Sequence, residues 1–363
     1  MSATQISPRS APPALRLAPG VIIVAVQWLL WLVVPLVAPE AAAIGMIGGA
    51  VGGLGVIVWW LGFSRAPWLD RLGALALMIL GVLVTKRLVH PSIANGMMGL
   101  MLTFYALPVL SLALVVAVCA SRARSAGLRR AVIAGAIVVG CGGFTLLRTG
   151  GISGLGASDL HWRWTRTPEE KLLAEASSTT LLGAKNASEI PAAKNPVPTR
   201  PPIWPGFRGP ARDGVVRGTR IGTDWAASPP IELWRRPVGP GWSSFAVDGD
   251  RVFTQEQRGE EEIVSCYDLR SGSPVWSHAD PARFWESNAG AGPRGTPTLA
   301  SGRVYASGAT GILNALDARS GAVVWSRNAA TDTARKIPEW GFACSPLVVD
   351  DTVVIAAEGR AVR

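Results

Sequence analysis

Two stretches in the C-terminal part of the chain repeat one sequence pattern, and this repetition constrains the fold more than any other feature. Residues 301–325 read SGRVYASGATGILNALDARSGAVVW, and residues 249–276 read GDRVFTQEQRGEEEIVSCYDLRSGSPVW with about three additional residues in the middle. A third copy starts at residue 350. Self-similarity at a spacing of roughly 40 to 50 residues is typical of architectures built from repeated supersecondary units.

Each copy predicts three short β-strands. Runs of β-branched and aromatic residues begin at Arg251 and Arg303, and second runs end at Tyr267 and Leu316. A third run in each copy ends at a tryptophan. Strands this short, with no helical pattern between them, exclude a fold of alternating strands and helices.

The last two strands of each copy are joined by the sequence Asp-x-x-Ser-Gly, which begins at Asp268 and at Asp317. The aspartate side chain can accept hydrogen bonds from backbone N–H groups and the glycine can take a positive φ, so both segments are predicted hairpin turns. The closing tryptophans, Trp234, Trp276 and Trp325, recur at spacings of 42 and 49 residues. These spacings are typical of four-stranded propeller blades.

The pattern Ala-x-Asp-x-x-Ser/Thr-Gly-x-x-x-Trp resembles the repeat of pyrroloquinoline-quinone (PQQ) type β-propellers. The copy that starts at Ala315 matches it fully, and the other differs only by Cys266 in place of the alanine. The segment WPGFRGP at residues 204–210 also resembles the first segment of bacterial PQQ-like propeller proteins. The resemblance covers residues 203–363 and implies a propeller fold. It does not select an activity, because the superfamily includes quinoprotein dehydrogenases and non-catalytic scaffolds such as the lipoprotein of the outer-membrane barrel assembly machinery.

The first 150 residues predict a membrane domain. Four charge-free apolar stretches, residues 21–38, 41–63, 92–120 and 131–147, are long enough, or nearly so, to cross a hydrocarbon core of about 30 Å. Residues 72–85 form a shorter apolar stretch between charged pairs. This stretch is either a fifth span with snorkelling side chains at its ends or a re-entrant or interfacial segment.

The distribution of basic residues predicts the orientation of these spans. Arginines precede the first span and cluster in the loop after the fourth, at positions 122, 124, 129 and 130, so both segments are predicted to be cytoplasmic. Five spans then place residue 150 onward outside the cytoplasm, although Lys86 and Arg87 depart from the rule. A signal peptide cleaved near residues 41–43 is the alternative for the first span and leaves the C-terminal part on the same side. The sequence thus predicts a multi-pass protein of a bacterial inner membrane, with the lipid bilayer as a partner and its C-terminal domain in the periplasm.

Tryptophans near the predicted span ends favour aromatic belts at the two interfaces. Trp59, Trp60 and Trp68 are predicted at the inner interface, and Trp162 and Trp164 at the outer one.

All but one unit of the net charge of +10 lies in the predicted membrane part. Residues 1–150 hold 11 of the 35 basic and 2 of the 25 acidic residues, which leaves 24 basic and 23 acidic residues for the remainder. A nearly neutral C-terminal part without a basic stripe argues against a nucleic-acid partner.

About five membrane helices followed by a propeller also resemble the membrane-bound PQQ-dependent sugar dehydrogenases. That resemblance implies PQQ with Ca²⁺ and electron transfer to a membrane quinone. The best local candidates for cofactor binding are Glu286 and Asn288, as oxygen donors to Ca²⁺, and Arg294, as a partner of a cofactor carboxylate. The alternatives are a polar loop between blades and, for Arg294, a pair with a neighbouring acidic side chain.

Other features of the sequence do not favour an enzyme. The adjacent cysteine pair of some quinoprotein alcohol dehydrogenases is absent, and Cys266 and Cys344 are interpreted as buried strand thiols or as a disulfide between blades. The acidic run at residues 260–262 is interpreted as the solvated tip of a hairpin. Neither the catalytic residues nor the metal ligands of a dehydrogenase are identified.

The sequence therefore predicts an α-helical transmembrane domain of about five helices followed by an all-β propeller that is incomplete, with about three to three and a half blades. The predicted parts are a cytoplasmic N-terminus (1–20), the transmembrane domain (21–148), an extracytoplasmic linker (149–202) and a partial PQQ-like propeller (203–363). The favoured function is a binding or interaction module with protein partners. The alternatives are a PQQ-dependent sugar or alcohol dehydrogenase and a truncated fragment without its own activity.

Overall fold

The computed structural model describes residues 15–152, 158–183, 202–357 and 360–362. The chain divides into two compact units, with the boundary between Thr165 and Arg166.

Helices make up most of the first unit. Five of them are long and apolar enough to cross a membrane, and one short helix, α4 (Pro91–Asn95), lies between the third and the fourth of these. The five are α1 (Ala18–Val37), α2 (Pro39–Phe63), α3 (Trp68–Leu88), α5 (Met101–Ala120) and α6 (Ala126–Phe144). The short apolar stretch at residues 72–85 is thus part of a helix of full spanning length.

One predicted span is shorter than expected. The apolar stretch 92–120 does not form a single helix, because Met97, Met98 and Gly99 have φ angles of 52°, 54° and 81°. Left-handed backbone cannot continue a right-handed helix. The long apolar helix α5 therefore begins only at Met101.

The helices pack through a common apolar core that includes two tryptophans. Trp59 and Trp60 are each 2% exposed in this core, so their rings pack against neighbouring helices, whereas Trp68 is 64% exposed. A polar contact joins the first turn of α3 to α6: the Asp70 carboxylate accepts hydrogen bonds of 2.6 Å from both Arg129 and Arg130. The N-terminal ends of α3 and α6 are therefore adjacent.

A β-hairpin ends the first unit. Strands β1 (Leu147–Ile152) and β2 (Ser158–Trp162) pair antiparallel, with Leu147 opposite Trp162. The rings of Trp162 and Trp164 stack at 5.3 Å.

The second unit starts with helix α7 (Pro168–Gly183), which lies within the segment 149–202 that the sequence predicts to be a linker. Thr167 and Glu170 form a reciprocal capping box, in which each backbone N–H donates to the other side chain. Glu169 accepts hydrogen bonds from Arg283 at 2.8 Å and from the Gly259 N–H at 2.9 Å. This end of α7 is thus attached to the β-structure, whereas the rest of the predicted linker, up to residue 202, lies almost wholly outside the described residues.

Three antiparallel sheets follow along the chain, and each is a meander of consecutive strands. The first contains β3 (Ala246–Asp248), β4 (Arg251–Arg258), β5 (Glu261–Asp268) and β6 (Pro274–Asp280). A two-stranded hairpin, β7 (Trp285–Glu286) and β8 (Gly290–Ala291), leads to the second sheet, which contains β9 (Thr298–Ala300), β10 (Arg303–Ser307), β11 (Ile312–Asp317) and β12 (Val323–Asn328). A short helix, α8 (Ala329–Asp332), precedes the third sheet of β13 (Leu347–Val349), β14 (Thr352–Ala357) and β15 (Arg360–Val362).

The register of the sheets confirms the sequence repeat. Cys266 lies opposite Trp276 in the first sheet, and Ala315 lies opposite Trp325 in the second. Apolar side chains of both sheets form one core, and Val304 and Leu316 are fully buried there. Within the described residues the three sheets follow one another along the chain and do not close into a ring.

Candidate functional site

The aspartates of the two repeated turns are turn formers, as predicted. The Asp268 carboxylate accepts hydrogen bonds from the backbone N–H groups of Arg270 and Ser271, at 3.1 and 2.8 Å, and from the Ser271 hydroxyl. Asp317 makes the same set of bonds one repeat later. These bonds lower the pKa of Asp268, which therefore stays ionised and has no free role as a catalytic base.

Each turn also receives a tryptophan from the preceding repeat. The Trp234 indole N–H donates to the Leu269 carbonyl at 2.9 Å, and the Trp276 indole N–H donates to the Ala318 carbonyl at 3.2 Å. The glycine of each turn lies under the ring, and a Cβ added at Gly321 would stand 2.5 Å from a ring carbon of Trp276. Glycine is thus required at position 321 for two reasons: its φ angle is positive, at 74°, and the tryptophan ring approaches closely.

Two of the three predicted cofactor-binding residues contact each other directly. The Arg294 guanidinium donates to Glu286 Oε1 at 3.1 Å, and both side chains are largely buried. The same carboxylate accepts from the backbone N–H groups of Asn288 and Ala289, at 2.7 and 2.5 Å. Asn288 thus contributes a backbone donor to the Glu286 carboxylate.

Further contacts hold Arg294 in place. Its guanidinium donates to the Gly290 carbonyl at 2.9 Å and lies 5.1 Å from the centre of the Phe284 ring. Burial lowers the pKa of Arg294 below its usual value, and the charge of Glu286 opposes this effect. The guanidinium remains positive at neutral pH, because an ordinary arginine pKa is far above 7.

A cavity of about 290 Å³ adjoins this loop. Arg294, Arg212, Trp242 and Phe207 contribute to its walls, and Cys344 lies at one side. The Trp242 ring is fixed by a hydrogen bond of 2.8 Å from its indole N–H to the Ala289 carbonyl. The arginine guanidinium groups suit a planar anion such as the carboxylate of an acidic peptide side chain.

Two buried carboxylates were not identified by sequence reasoning. Glu256 is 1% exposed and accepts hydrogen bonds from Arg258, Ser265 and Tyr267. Burial opposes its ionisation, but the hydrogen bonds outweigh this effect and lower the pKa of Glu256. The sequence of β4 gave no signal for this burial, because its six central residues are all buried although four of them are polar.

Glu262 corrects the prediction of a solvated acidic tip at residues 260–262. Its side chain is buried and accepts hydrogen bonds from the Ala309 N–H at 2.9 Å and from the Thr310 hydroxyl at 3.1 Å, both in the neighbouring sheet. Burial raises the pKa of Glu262. Only Glu260 and Glu261 are exposed.

Comparison with known proteins identifies the repeat. Residues 225–363 match the PQQ_2 family model, which is described as outer membrane protein assembly factor BamB. Residues 225–363 carry PQQ-like β-propeller repeats. No curated protein matches the chain.

Solved structures with similarity to the chain include BamB and two dehydrogenases. BamB from Moraxella catarrhalis is 26% identical over 32% of this chain and 30% of its own, with a TM-score of 0.23. Quinohemoprotein alcohol dehydrogenase from Comamonas testosteroni is 22% identical over 51% of this chain and 27% of its own (TM-score 0.31), and a europium-containing methanol dehydrogenase is 19% identical over 32% and 20% (TM-score 0.24). The chain spans less than a third of the length of each of these proteins.

The residues around Glu286 do not fit the calcium ion that the dehydrogenase resemblance implies. A Ca²⁺ site needs six to eight oxygen ligands. Both oxygens of the Glu286 carboxylate already accept hydrogen bonds, and the Arg294 guanidinium at 3.1 Å would repel a cation. No group of three or more His, Cys, Asp or Glu side chains suited to a metal occurs among the described residues.

The cysteines of the PQQ-like repeats do not form a disulfide against which a quinone could stack. Cys266 and Cys344 are both free thiols in the structure. Cys266 is fully buried, and burial raises its pKa to about 12, whereas Cys344 Sγ accepts a hydrogen bond of 3.2 Å from the Ala356 N–H. We therefore derive no chemical step through PQQ.

Proposed function

We propose that this protein is a membrane-anchored, extracytoplasmic module of PQQ-like propeller repeats that binds other proteins. Five helices of spanning length support the anchor, and the arginine-rich loop before α6 supports an orientation with the second unit in the periplasm of a bacterium. The family model that matches the repeats is described as an assembly factor, and this supports a protein partner. The role of Glu286, Asn288 and Arg294 in cofactor binding stays a prediction.

The proposal rests on one observation: both oxygens of the Glu286 carboxylate already accept hydrogen bonds from the protein itself. A dehydrogenase of the kind suggested by the resemblance needs carboxylate oxygens that are free to hold a cation beside the quinone. Here Arg294 and two backbone N–H groups use that carboxylate to fix the loop. The loop thus has the properties of a rigid wall of a binding surface, with Trp242 and Arg212 presented beside it.

The test is a titration of the detergent-solubilised full chain with PQQ, in the presence and absence of Ca²⁺. The 15 tryptophans give a strong fluorescence signal for quenching, and reduction of an artificial electron acceptor with sugars and alcohols is followed in the same samples. We expect neither saturable quenching nor substrate-dependent reduction.

The matched variants are Arg294→Met, which removes the only charged partner seen for Glu286 among the described residues, and Glu260→Gln on the exposed tip. Saturable PQQ binding that is lost in R294M but kept in E260Q, together with acceptor reduction, would contradict the proposal and establish the dehydrogenase.

A further inference from the structure

Two arginines of the β-hairpin that ends the first unit have no acidic partner. Arg148 lies on β1 and is only 7% exposed, and its guanidinium donates to the Thr165 carbonyl at 2.8 Å. Arg163 directly follows β2, and its side chain is exposed. Among the described residues, no carboxylate forms an ion pair with either arginine. Because a buried charge is normally paired, the burial of Arg148 points to an anion from outside this unit.

The first unit contains few acidic residues that could pair with these arginines. Residues 1–165 hold only three of them, Glu40, Asp70 and Asp159. Asp70 is already bound at the other end of α3 by the two arginines described above, and Asp159 pairs with His161 at 2.9 Å. Glu40 lies in the turn that begins α2. None of the three is paired with an arginine of the hairpin, so this end of the unit keeps a positive charge.

The histidine next to the hairpin lies in the field of both arginines. His90 precedes α4, and its Nδ1 atom accepts a hydrogen bond of 3.2 Å from the Ser92 N–H. The Ser92 hydroxyl in turn accepts from the Thr149 N–H at 3.1 Å, and this bond joins α4 to β1. Burial lowers the pKa of His90, and the charges of Arg163 and Arg148 lower it further. His90 is therefore neutral at pH 7, and the two arginines act on one small region.

Two more basic residues lie at the same end of the helices. Lys86, in the last turn of α3, donates to the Gly99 carbonyl at 2.9 Å, and the neighbouring Arg87 is exposed. These two residues are the exception to the charge distribution that predicts the orientation of the spans. Basic residues at a span end have a physical reason to be there if they attract a negatively charged lipid headgroup.

A cavity of about 440 Å³ lies beside the hairpin. Its walls include Thr145, Leu146, Arg163 and Trp164, so a cation and apolar side chains face the same space. The Trp164 ring stacks on the Trp162 ring at 5.3 Å, and both side chains are more than half exposed. Exposed tryptophans at the end of apolar helices are typical of the boundary between a membrane and water. The cavity therefore combines a site for an anion with a surface that suits the lipid interface.

A phosphate group matches these features, because a guanidinium donates strong charge-assisted hydrogen bonds to phosphate oxygens. The apolar wall and the exposed tryptophan rings favour a phosphate that carries acyl chains over a free one. We propose that this end of the first unit binds the headgroup of an anionic phospholipid. Arg163 contacts the phosphate, and Arg148 adds a second positive charge from the buried side. The inference rests on the membrane anchor of the proposed function.

The test is a titration of the purified full chain in detergent with phosphatidylglycerol, measured by native mass spectrometry, which counts the bound lipid molecules. Phosphatidylcholine is the control lipid, because a quaternary ammonium group compensates its phosphate, and inorganic phosphate is the control for a free anion. We expect the first phosphatidylglycerol to bind about tenfold to thirtyfold more tightly than the first phosphatidylcholine, because each of two cations near a lipid headgroup contributes about fivefold.

Three variants assign the binding to the hairpin. Arg163→Gln should weaken the first phosphatidylglycerol about fivefold and leave phosphatidylcholine unchanged. Arg124→Gln is the matched control, because it removes an exposed arginine at the opposite end of the helices, and it should change neither affinity. Arg148→Lys keeps the buried charge and should retain the preference for phosphatidylglycerol, whereas Arg148→Gln should weaken that preference about fivefold or more.

Equal affinity for the two lipids, or a preference that the exposed variant R163Q keeps in full, would overturn the inference. Inorganic phosphate that binds as tightly as phosphatidylglycerol and displaces it would assign the site to a soluble anion and overturn the choice of a lipid. Flotation of the chain with phosphatidylcholine vesicles tests the membrane anchor separately. A chain that floats but shows no preference for phosphatidylglycerol would contradict this inference alone, whereas a chain that does not float would contradict the anchor and this inference together.

Discussion

The buried carboxylate of Glu256 gives the most quantitative prediction for the stability of the second unit. Its Oε1 atom accepts hydrogen bonds from Arg258, Ser265 and Tyr267 at 2.7, 2.6 and 2.8 Å, and its Oε2 atom accepts from the Gly239 N–H. Glu256→Ala removes the carboxylate that accepts from all four donors, and one of them is a half-buried cation, Arg258, which keeps only its hydrogen bond to the Tyr267 hydroxyl. Removing one partner of a buried ion pair costs about 3 to 5 kcal/mol.

Thiol labelling of Cys266 measures this loss in the full chain. Cys266 is 0% exposed on β5, next to the strand that carries Glu256, so it reacts only after the sheet opens. A loss of about 3 to 5 kcal/mol raises the open population, and hence the labelling rate, roughly one hundredfold to a few thousandfold. Glu260→Ala is the control, because that side chain is 87% exposed, and it should change the rate less than about threefold. A labelling rate in E256A within about threefold of the wild-type rate would refute the assignment of this network to stability.

Two further predictions concern a turn glycine and the pH dependence of stability. Gly321→Ala should destabilise the second sheet by about 2 to 4 kcal/mol. Gly249 also has a positive φ but has open space around it, so Gly249→Ala should cost only about 1 kcal/mol. Equal losses of stability in thermal unfolding would show that Trp276 does not restrict the turn. Because burial raises the pKa of Glu262, the folded state keeps a proton that the unfolded chain loses near pH 4.5, and the stabilisation that this gives declines as the pH rises from about 4.5 to the folded pKa. Glu262→Gln should therefore gain stability relative to the wild type across that window in urea unfolding followed from pH 4 to pH 8, and a difference that is constant with pH would contradict the buried acid.

The repeat could be predicted from the sequence because its signals are local. The turns at Asp268 and Asp317 need only an aspartate, a serine and a glycine at fixed spacing, and the structure confirms their hydrogen bonds. The closing tryptophans were recognised in the same way. Their contacts with the turn of the next sheet were not predicted, because these contacts join residues such as Trp276 and Ala318 that are 42 positions apart.

The candidate site could be predicted only in part. Sequence reasoning selected Glu286 and Arg294 and also considered that Arg294 pairs with an acidic neighbour, and the structure joins these two side chains. It did not place Trp242 and Arg212 beside Arg294, since they come from a segment with little regular structure. Glu262 was wrongly predicted to be exposed, because a run of three acidic residues is usually solvated. This residue lies near the end of a strand that packs on a second sheet, and this packing buries its side chain.

The most direct test of the account is the side of the membrane on which the second unit lies. Single cysteines are introduced as Glu260→Cys, on the exposed hairpin of the first sheet, and as Arg124→Cys, in the loop before α6. Both are treated with a membrane-impermeant maleimide in bacterial cells whose outer membrane alone has been made permeable, and labelling at each position is read by peptide mass spectrometry. The account predicts that position 260 is labelled in these cells and that position 124 is labelled only after lysis. Labelling of position 124 with protection of position 260 would contradict the proposed extracytoplasmic binding module.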